Sequence, residues 1–303
     1  MTSAGETSIG VCAYDLSASD LVELARQADR AGFESLWLGE HVALPVGYSS
    51  SHPTAGTAAH ERRTSPIVEP DTRLTDPLVA LAACAAATER IRLATGIYLL
   101  PLRHPLLSGR MAHTLQDVSG GRFLLGLGAG WLTEEFDALD VPFAERYGRL
   151  VESIAYMRAA WQGGPFDFEG RYYRAQQLQL CSDPVRVPLI LGGNTDAALD
   201  RAARLGDGWF SSATPSLDDA CRYRDQLLDR RAAHGRHGEF EVYVRIAKPD
   251  PETVEAYRVE GFDHLVVWAD QLWPAHGTVE EKQVGLSLIA SDLGLRAREE
   301  SPK

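Results

Sequence analysis

Two patterns of hydrophobic positions alternate along this chain. Short, nearly unbroken apolar runs are followed by stretches whose apolar residues return every three or four positions, as at Leu21, Leu24, Ala25 and Ala28. The first pattern suits a parallel strand buried on both faces, the second a helix packed along one side. The runs Ile9–Ala13, Ser35–Gly39, Ile91–Leu100, Arg122–Gly128, Val187–Leu191, Gly208–Phe210, Glu241–Ala247 and His264–Trp268 predict eight strands. Helical spacing covers Asp20–Ala31, Asp76-Pro77 through Thr88, and His104-Pro105 to Gly120-Gly121. It returns from Glu134 onward, then over Glu145–Trp161, Thr195–Leu205, Leu217–His234, Glu252–Glu260 and Val279–Leu293. Punctuation agrees: Ser19 or Asp20 can cap the first helix, Gly32 closes it, and Pro77 opens the next.

Eight strand-then-helix units in 303 residues average about 38 residues each (303 divided by eight). Such a count closes an α/β fold of the (β/α)8, TIM-like barrel type, with an open doubly wound sheet as the alternative. No Pro/Ser/Gly linker separates two cores, so residues 1–303 read as one domain. Two stretches leave the alternation. Residues 42–75, rich in Pro, Ser, Thr, Gly and Ala, depart from the tip of the second strand and read as a lid. Residues 163–182 alternate aromatic and polar positions around Glu169-Gly170, the signature of an inserted hairpin after the fourth helix.

Composition narrows the function without naming it. The chain is 45% hydrophobic and 24% charged, with a net charge of -12. That balance is globular and argues against a nucleic-acid surface, which needs a basic face. Apolar stretches near ten residues fall short of the roughly 20 needed to cross a bilayer, and Met1 to Gly10 has no signal pattern. Cys12, Cys84, Cys181 and Cys221 stand singly, with no metal-ligand spacing. A cytoplasmic protein without metal or membrane is expected.

Four predicted strand ends carry glycine or polar residues, on the rim where ligands gather in barrels. The second strand ends in Glu40-His41, which reads equally as acid-base chemistry and as a buried His held by a carboxylate. Thr95-Gly96-Ile97 interrupts the third strand, as a bulge or as a close backbone approach to a ligand. Gly126 to Trp131 invites a dinucleotide reading, but Trp131 stands where the last glycine of G-x-G-x-x-G belongs. Those glycines, Gly128 among them, instead suit a flat ligand, with Trp131 and Glu134 at its rim. Gly192-Gly193-Asn194-Thr195 feeds a helix start, a phosphate cradle or a simple cap. Together the four point to a barrel enzyme binding a flat, phosphate-bearing ligand.

The same residues resemble the luciferase-like monooxygenase superfamily, in its deazaflavin (coenzyme F420) dependent branch. The resemblance runs from about Gly32 to Phe210. It rests on Gly32-Phe33-Glu34-Ser35-Leu36-Trp37 with Glu40-His41, Arg90 to Gly96, Pro101 to Pro105, Ser119 to Phe123, Gly126 to Trp131, Val141 to Arg146, Gly192 to Asn194 and Ala202 to Trp209. It implies a tricyclic ring at the carboxyl ends of the strands and a non-proline cis peptide mapping onto Gly96-Ile97. It also implies the cofactor phosphate against Gly192, Gly193, Asn194 and Thr195, and His41 close to the hydride-carrying carbon. One departure stands out: related sugar-phosphate dehydrogenases carry a catalytic Glu where this chain has Trp131, which argues for another substrate.

The expected chemistry is hydride transfer between the deazaflavin C5 and a small organic substrate. His41 is the proton donor or acceptor, and Glu40 holds His41 or the polar edge of the ring. Arg62, Arg63, Arg73 and Arg103 are candidates to meet the cofactor's acidic tail. The alternatives are an FMN-dependent monooxygenase fed by a separate reductase and a non-catalytic flavin-binding protein. An unrelated barrel hydrolase or aldolase finds little support, Lys248 being the nearest candidate Schiff-base lysine. The resemblance also implies a homodimer.

Overall fold

The computed structural model describes residues 7–47, 49–51, 72–181, 183–274 and 276–296. In chain order its strands are β1 (Ser8–Ala13), β2 (Ser35–Leu38), β3 (Arg92–Thr95), β4 (Tyr98–Leu99), β5 (Phe123–Gly128), β6 (Pro165–Glu169), β7 (Arg174–Gln179), β8 (Leu189–Gly192), β9 (Gly208–Phe210), β10 (Glu241–Arg245) and β11 (His264–Trp268). The helices are α1 (Ala18–Ala31), α2 (Pro77–Ala87), α3 (Pro105–Val118), α4 (Thr133–Ala138), α5 (Arg146–Ala160), α6 (Asp196–Leu205), α7 (Leu217–Ala233), α8 (Pro251–Val259) and α9 (Val279–Asp292).

The main sheet runs β3-β2-β1-β11-β10-β9-β8-β5 in parallel, and β3 pairs back onto β5 through Leu93–Phe123. The sheet is therefore a closed eight-stranded barrel with helices around it, and the open doubly wound alternative falls away. The N-cap of α1 is Ser17 rather than the expected Ser19 or Asp20, because the helix already begins at Ala18, while the Gly32 and Pro77 signals hold. Ser17 Oγ accepts from the Asp20 amide at 3.1 Å, and Gly32, at φ 91°, ends α1. Asp76 Oδ1 accepts from the Leu78 and Val79 amides, both at 3.0 Å, with Pro77 beginning α2.

Period-two alternation divides each strand between two cores. Cys12, Trp37, Ala94, Leu124, Ile190, Phe210, Tyr243 and Val266 pack together inside the barrel. Their neighbours Val11, Leu36, Leu93, Leu125, Leu189, Trp209, Val244 and Leu265 face the helices. Trp37 stacks on Phe210 at 4.3 Å and meets Tyr243 edge-on at 4.6 Å, so the interior is filled. At the amino-terminal end, Arg92 Nη1 donates to Glu34 (3.0 Å), Glu241 (2.7 Å) and the Tyr243 hydroxyl (2.7 Å). The opposite end is left open for a site.

Several predicted boundaries shift by one or two residues, and two of the shifts bear on the site's surroundings. The single third strand is two, β3 and β4, separated by a cis peptide between Gly96 and Ile97. The fifth predicted strand begins two residues later, at Leu189, because Val187 packs into the outer core before pairing starts. Antiparallel β6 and β7 form the inserted hairpin, with Phe168 opposite Ala175, and pack on α5 through Tyr156, Phe166 and Tyr173. Residues 52–71 of the predicted lid lie outside the described residues. Among the described residues, no helix is long and apolar enough to cross a membrane, and no cluster of His, Cys, Asp and Glu is arranged to hold a metal.

The glycines at the open end answer to Ile97 rather than to a ligand directly. A Cβ on Gly128 would sit 1.8 Å from Ile97 Cδ1 and 3.0 Å from its Cγ1, and one on Gly192 would be 3.1 Å from its Cγ2. Ile97 thus stands as an apolar shelf wedged between β5 and β8. Gly128→Ala is expected to lower unfolding free energy by about 1–3 kcal/mol through overpacking. Ile97→Ala in the same chain should recover part of that loss. A denaturant-based double-mutant cycle reads the coupling, and strict additivity would deny the contact.

Candidate active site

The carboxyl ends of the strands surround a cavity of about 420 Å³. Tyr14, Glu40, His41, Ile97, Trp131 and Arg245 line one part of it, and Gly192, Gly193, Asn194, Thr195, Tyr147 and Arg201 another. Apart from Tyr147 on α5 and Arg201 on α6, each arrives from a strand end or from the turn that follows, so the barrel sets their spacing.

His41 is fixed by a residue on α4. Its Nδ1 lies 2.8 Å from Glu135 Oε2, and the second oxygen, Oε1, accepts from the Val42 amide at 2.6 Å and the Ala43 amide at 3.3 Å. Both side chains are almost wholly buried, at 3% and 1% exposure. The carboxylate acceptor assigns the proton to Nδ1 and leaves Nε2 as the imidazole's working nitrogen. Trp131 meets the His41 ring edge-on at 5.6 Å and walls the same side.

Glu40 does other work. Its Oε2 accepts from the Leu99 amide at 2.6 Å and its Oε1 from Arg103 Nη2 at 2.5 Å. Burial pushes the Glu40 carboxyl above the ordinary range, and the Arg103 guanidinium and the Leu99 amide pull against that shift. The expectation that Glu40 holds His41 is therefore corrected: Glu40 faces the turn after β4, and Glu135 supplies the anchor. Arg103, spent on Glu40 and lying 4.5 Å over the Tyr98 ring, is not free for an acidic tail. Arg62 and Arg63 lie outside the described residues.

Three further residues sit differently from the sequence expectation. Thr95 is fully buried and gives its hydroxyl to the Gly126 carbonyl at 2.7 Å, so it supports the wall from behind. Glu134 is absent from the cavity lining. It accepts from the Ser49 amide at 2.9 Å and the Ser50 hydroxyl at 2.7 Å, contacts that hold its carboxyl down to about 2. Asn194 reaches the cavity, but its side-chain amide is paired both ways with the Ser212 backbone, at 2.8 Å each. Gly96, Ile97, Gly128, Trp131, Gly192, Gly193 and Thr195 all line the cavity.

Sequence reasoning passed over Arg245. It ends β10, is 7% exposed, and lies between the Phe210 and Trp268 rings, 4.6 Å from each centroid. Its Nη2 donates to the Ser211 carbonyl at 2.8 Å, while its buried Nε has no partner among the described residues. No described carboxylate pairs with it, and burial pulls its pKa below the ordinary guanidinium range. Strand alternation held the clue, since Arg245 follows the inward-facing Tyr243 by two positions. Lys248, the lysine singled out beyond this strand, is exposed.

At the other end, Thr195 caps α6 by accepting from the Ala198 amide at 3.3 Å. A helix start leaves its first amides without internal partners, and Thr195 and Ala198 at this start line the cavity. The Asp196 carboxylate is turned to Arg230 at 2.7 Å.

Comparison with known proteins now has a geometry to meet. A profile described as luciferase-like monooxygenase matches residues 2–248. The chain belongs to the luciferase-like monooxygenase family. It is 33% identical to an uncharacterized protein of Mycobacterium tuberculosis over 249 residues, 80% of this chain and 84% of that one. The F420-dependent hydroxymycolic acid dehydrogenase of Mycobacterium tuberculosis is 29% identical over 263 residues, 84% of this chain and 62% of its own length. A solved F420-dependent secondary alcohol dehydrogenase in complex with an F420-acetone adduct shares the fold, with a TM-score of 0.73 at 16% identity over 95% of this chain and 99% of that one. His41, Glu135 and Arg245 all fall within the stretch matched to the luciferase-like family.

Glu135→Ala would strand the buried imidazole Nδ1–H and take the acceptor from two part-buried backbone amides. The expected cost is roughly 2–3 kcal/mol of stability, with Glu135→Gln losing clearly less because an acceptor oxygen remains. Urea titration of the three proteins checks this, and a wild-type midpoint for the alanine variant would remove Glu135 from the role.

Proposed function

We propose that this protein is a coenzyme F420-dependent oxidoreductase that transfers a hydride between the deazaflavin C5 and a small organic substrate. One observation carries the reading: a single cavity joins an imidazole oriented by a buried carboxylate to the start of α6. The 29% identity to an F420-dependent dehydrogenase supports it.

The residues present fit such a group. The orphaned Nε of Arg245 asks for an acceptor, which the carbonyl edge of a deazaflavin ring has. Ile97, raised between two glycines, offers an apolar shelf to a flat ring. The Asp196 and Ala197 amides, with Gly192 and Gly193 beside them, suit a phosphate. Bound there, the cofactor would supply the hydride chemistry. The protein orients the substrate and manages the proton. His41, held through Nδ1, gives or takes that proton at Nε2, and Trp131 keeps an aromatic wall beside the substrate. Reduction of a C=C or C=N bond and oxidation of an alcohol both suit this arrangement. Dimerisation belongs to the same reading: Val79 on α2 and Leu107 on α3 are 72% and 61% exposed, an apolar face for a second copy.

The family description favours a second reading, an FMN-dependent monooxygenase. Fluorescence titration separates the two. Deazaflavin should bind much more tightly than FMN, and the reverse ranking would overturn the cofactor assignment. His41→Ala should slow oxidation of the reduced deazaflavin by a panel of enones, imines and ketones by about 10²-fold or more. Its cofactor affinity should change far less. Unchanged turnover would deny His41 the proton-transfer role, and binding without any turnover of the wild type would point to a non-catalytic flavin-binding protein.

A further inference from the structure

Beside the cavity a second, open groove of about 650 Å³ runs between α5, the tip of the β6–β7 hairpin and α6. Tyr147 and Arg201 line both, so the groove continues from the helix-start end of the cavity. Its cations are Arg171, Arg201 and Arg204, and its one carboxylate is Glu152. That carboxylate is already consumed. Its oxygens accept from the amides of Arg171 (3.0 Å), Tyr172 (2.7 Å) and Tyr173 (2.8 Å) at the hairpin tip.

The arginines are presented rather than paired. Arg201 lies 4.6 Å over the Tyr147 ring, and Arg171 lies 5.1 Å over Tyr172. Among the described residues, neither Arg201 nor Arg204 has a carboxylate within ion-pair distance, and Arg171 reaches Glu145 only at 3.8 Å. Burial lowers the pKa of Arg201; Tyr147 and the Asp200 carboxylate pull it back up, and Arg204 and Arg146 push it down again. Three cations that share only the long Arg171–Glu145 pair, with no carboxylate within ion-pair distance of Arg201 or Arg204 among the described residues, call for an anion from outside in a chain of net charge -12.

We propose that this groove binds the γ-linked oligoglutamate tail of the deazaflavin cofactor, which leaves the cavity past Tyr147 and Arg201 and lies across Arg204 and Arg171. The proposal rests on the F420 reading above. A lactyl group links the cofactor's phosphate to that tail, so a phosphate at the start of α6 brings the first glutamates to the shared wall. The charges are opposite in sign, and Tyr147 and Tyr172 lie beneath the guanidinium groups of Arg201 and Arg171.

The test uses the whole chain and three fluorescent probes: deazaflavins carrying the phospholactyl group with no glutamate, with one, and with several. Affinity should rise with tail length, and the gain should fade as salt is raised, because exposed ion pairs are screened. The double variant Arg171→Gln, Arg204→Gln should weaken the long-tailed probe roughly fivefold while leaving the tail-less probe within about twofold. Equal affinities for all three probes would overturn the tail assignment and leave the cofactor reading standing. A failure of every probe to bind would overturn both. Equal affinities together with a shift in sedimentation of the variant would give the groove to a second copy of this chain.

Discussion

The site hangs on one carboxylate. Glu135 collects the buried His41 imidazole and the next two, part-buried backbone amides into a single knot, joining the end of β2 to α4. An unpaired buried donor costs on the order of 1–3 kcal/mol, so the knot fixes both the histidine and the direction in which the following loop departs. Glu134, one residue earlier, points outward and binds Ser49 and Ser50 of that same loop. Two neighbouring acids on one short helix thus hold a loop from another unit, one from inside and one from outside. Phe136 secures the helix itself, fully buried against Phe143 at 5.2 Å.

The rest of the rim is shaped by absent side chains. Ile97 occupies space that a Cβ on Gly128 or Gly192 would need, and the Tyr14 ring lies where a Cβ on Gly39 would sit, 1.6 Å from its Cε2. Tyr14 in turn donates to the Glu40 carbonyl at 3.1 Å. Glycine at these strand ends therefore lets protein side chains lean over the barrel mouth, and those side chains form the surface that a ligand meets.

Most of the architecture was legible in the chain because a parallel barrel writes itself plainly. Strands buried on both faces are apolar runs, and the helices between them repeat every three or four residues. The strand-end rule also located the rim. What it could not supply was the direction of individual side chains there. Successive helix residues point about 100° apart, so Glu134 and Glu135 differ in everything that matters while reading alike. The apolar Phe136 beside Glu135 was the available hint of an inward face. Glu40 and His41 are adjacent in sequence, which suggested a pair, yet adjacent residues at a strand end face opposite ways. Arg245 was legible by alternation from Tyr243, but a cation at an inward position contradicts the apolar expectation for a strand core.

That contradiction bears on how an acidic protein accommodates an anionic ligand. Long-range attraction cannot do it, since the chain as a whole is negative and the Debye length is only about 8–10 Å at ordinary ionic strength. Recognition must come from short-range charges already desolvated or oriented before the ligand arrives. Arg245, held between Phe210 and Trp268, is one such charge, and Arg201, set over Tyr147, is another. The α6 start adds partial positive charge that needs no counter-ion of its own. These three line the same cavity, whereas Arg92, at the opposite end of the barrel, and Arg103, behind the turn after β4, are neutralised by Glu34, Glu241 and Glu40. The chain spends its carboxylates on the arginines that build the barrel and, among the described residues, leaves Arg245 and Arg201 without one within ion-pair distance, and that selective pairing is what the proposed anionic cofactor would meet.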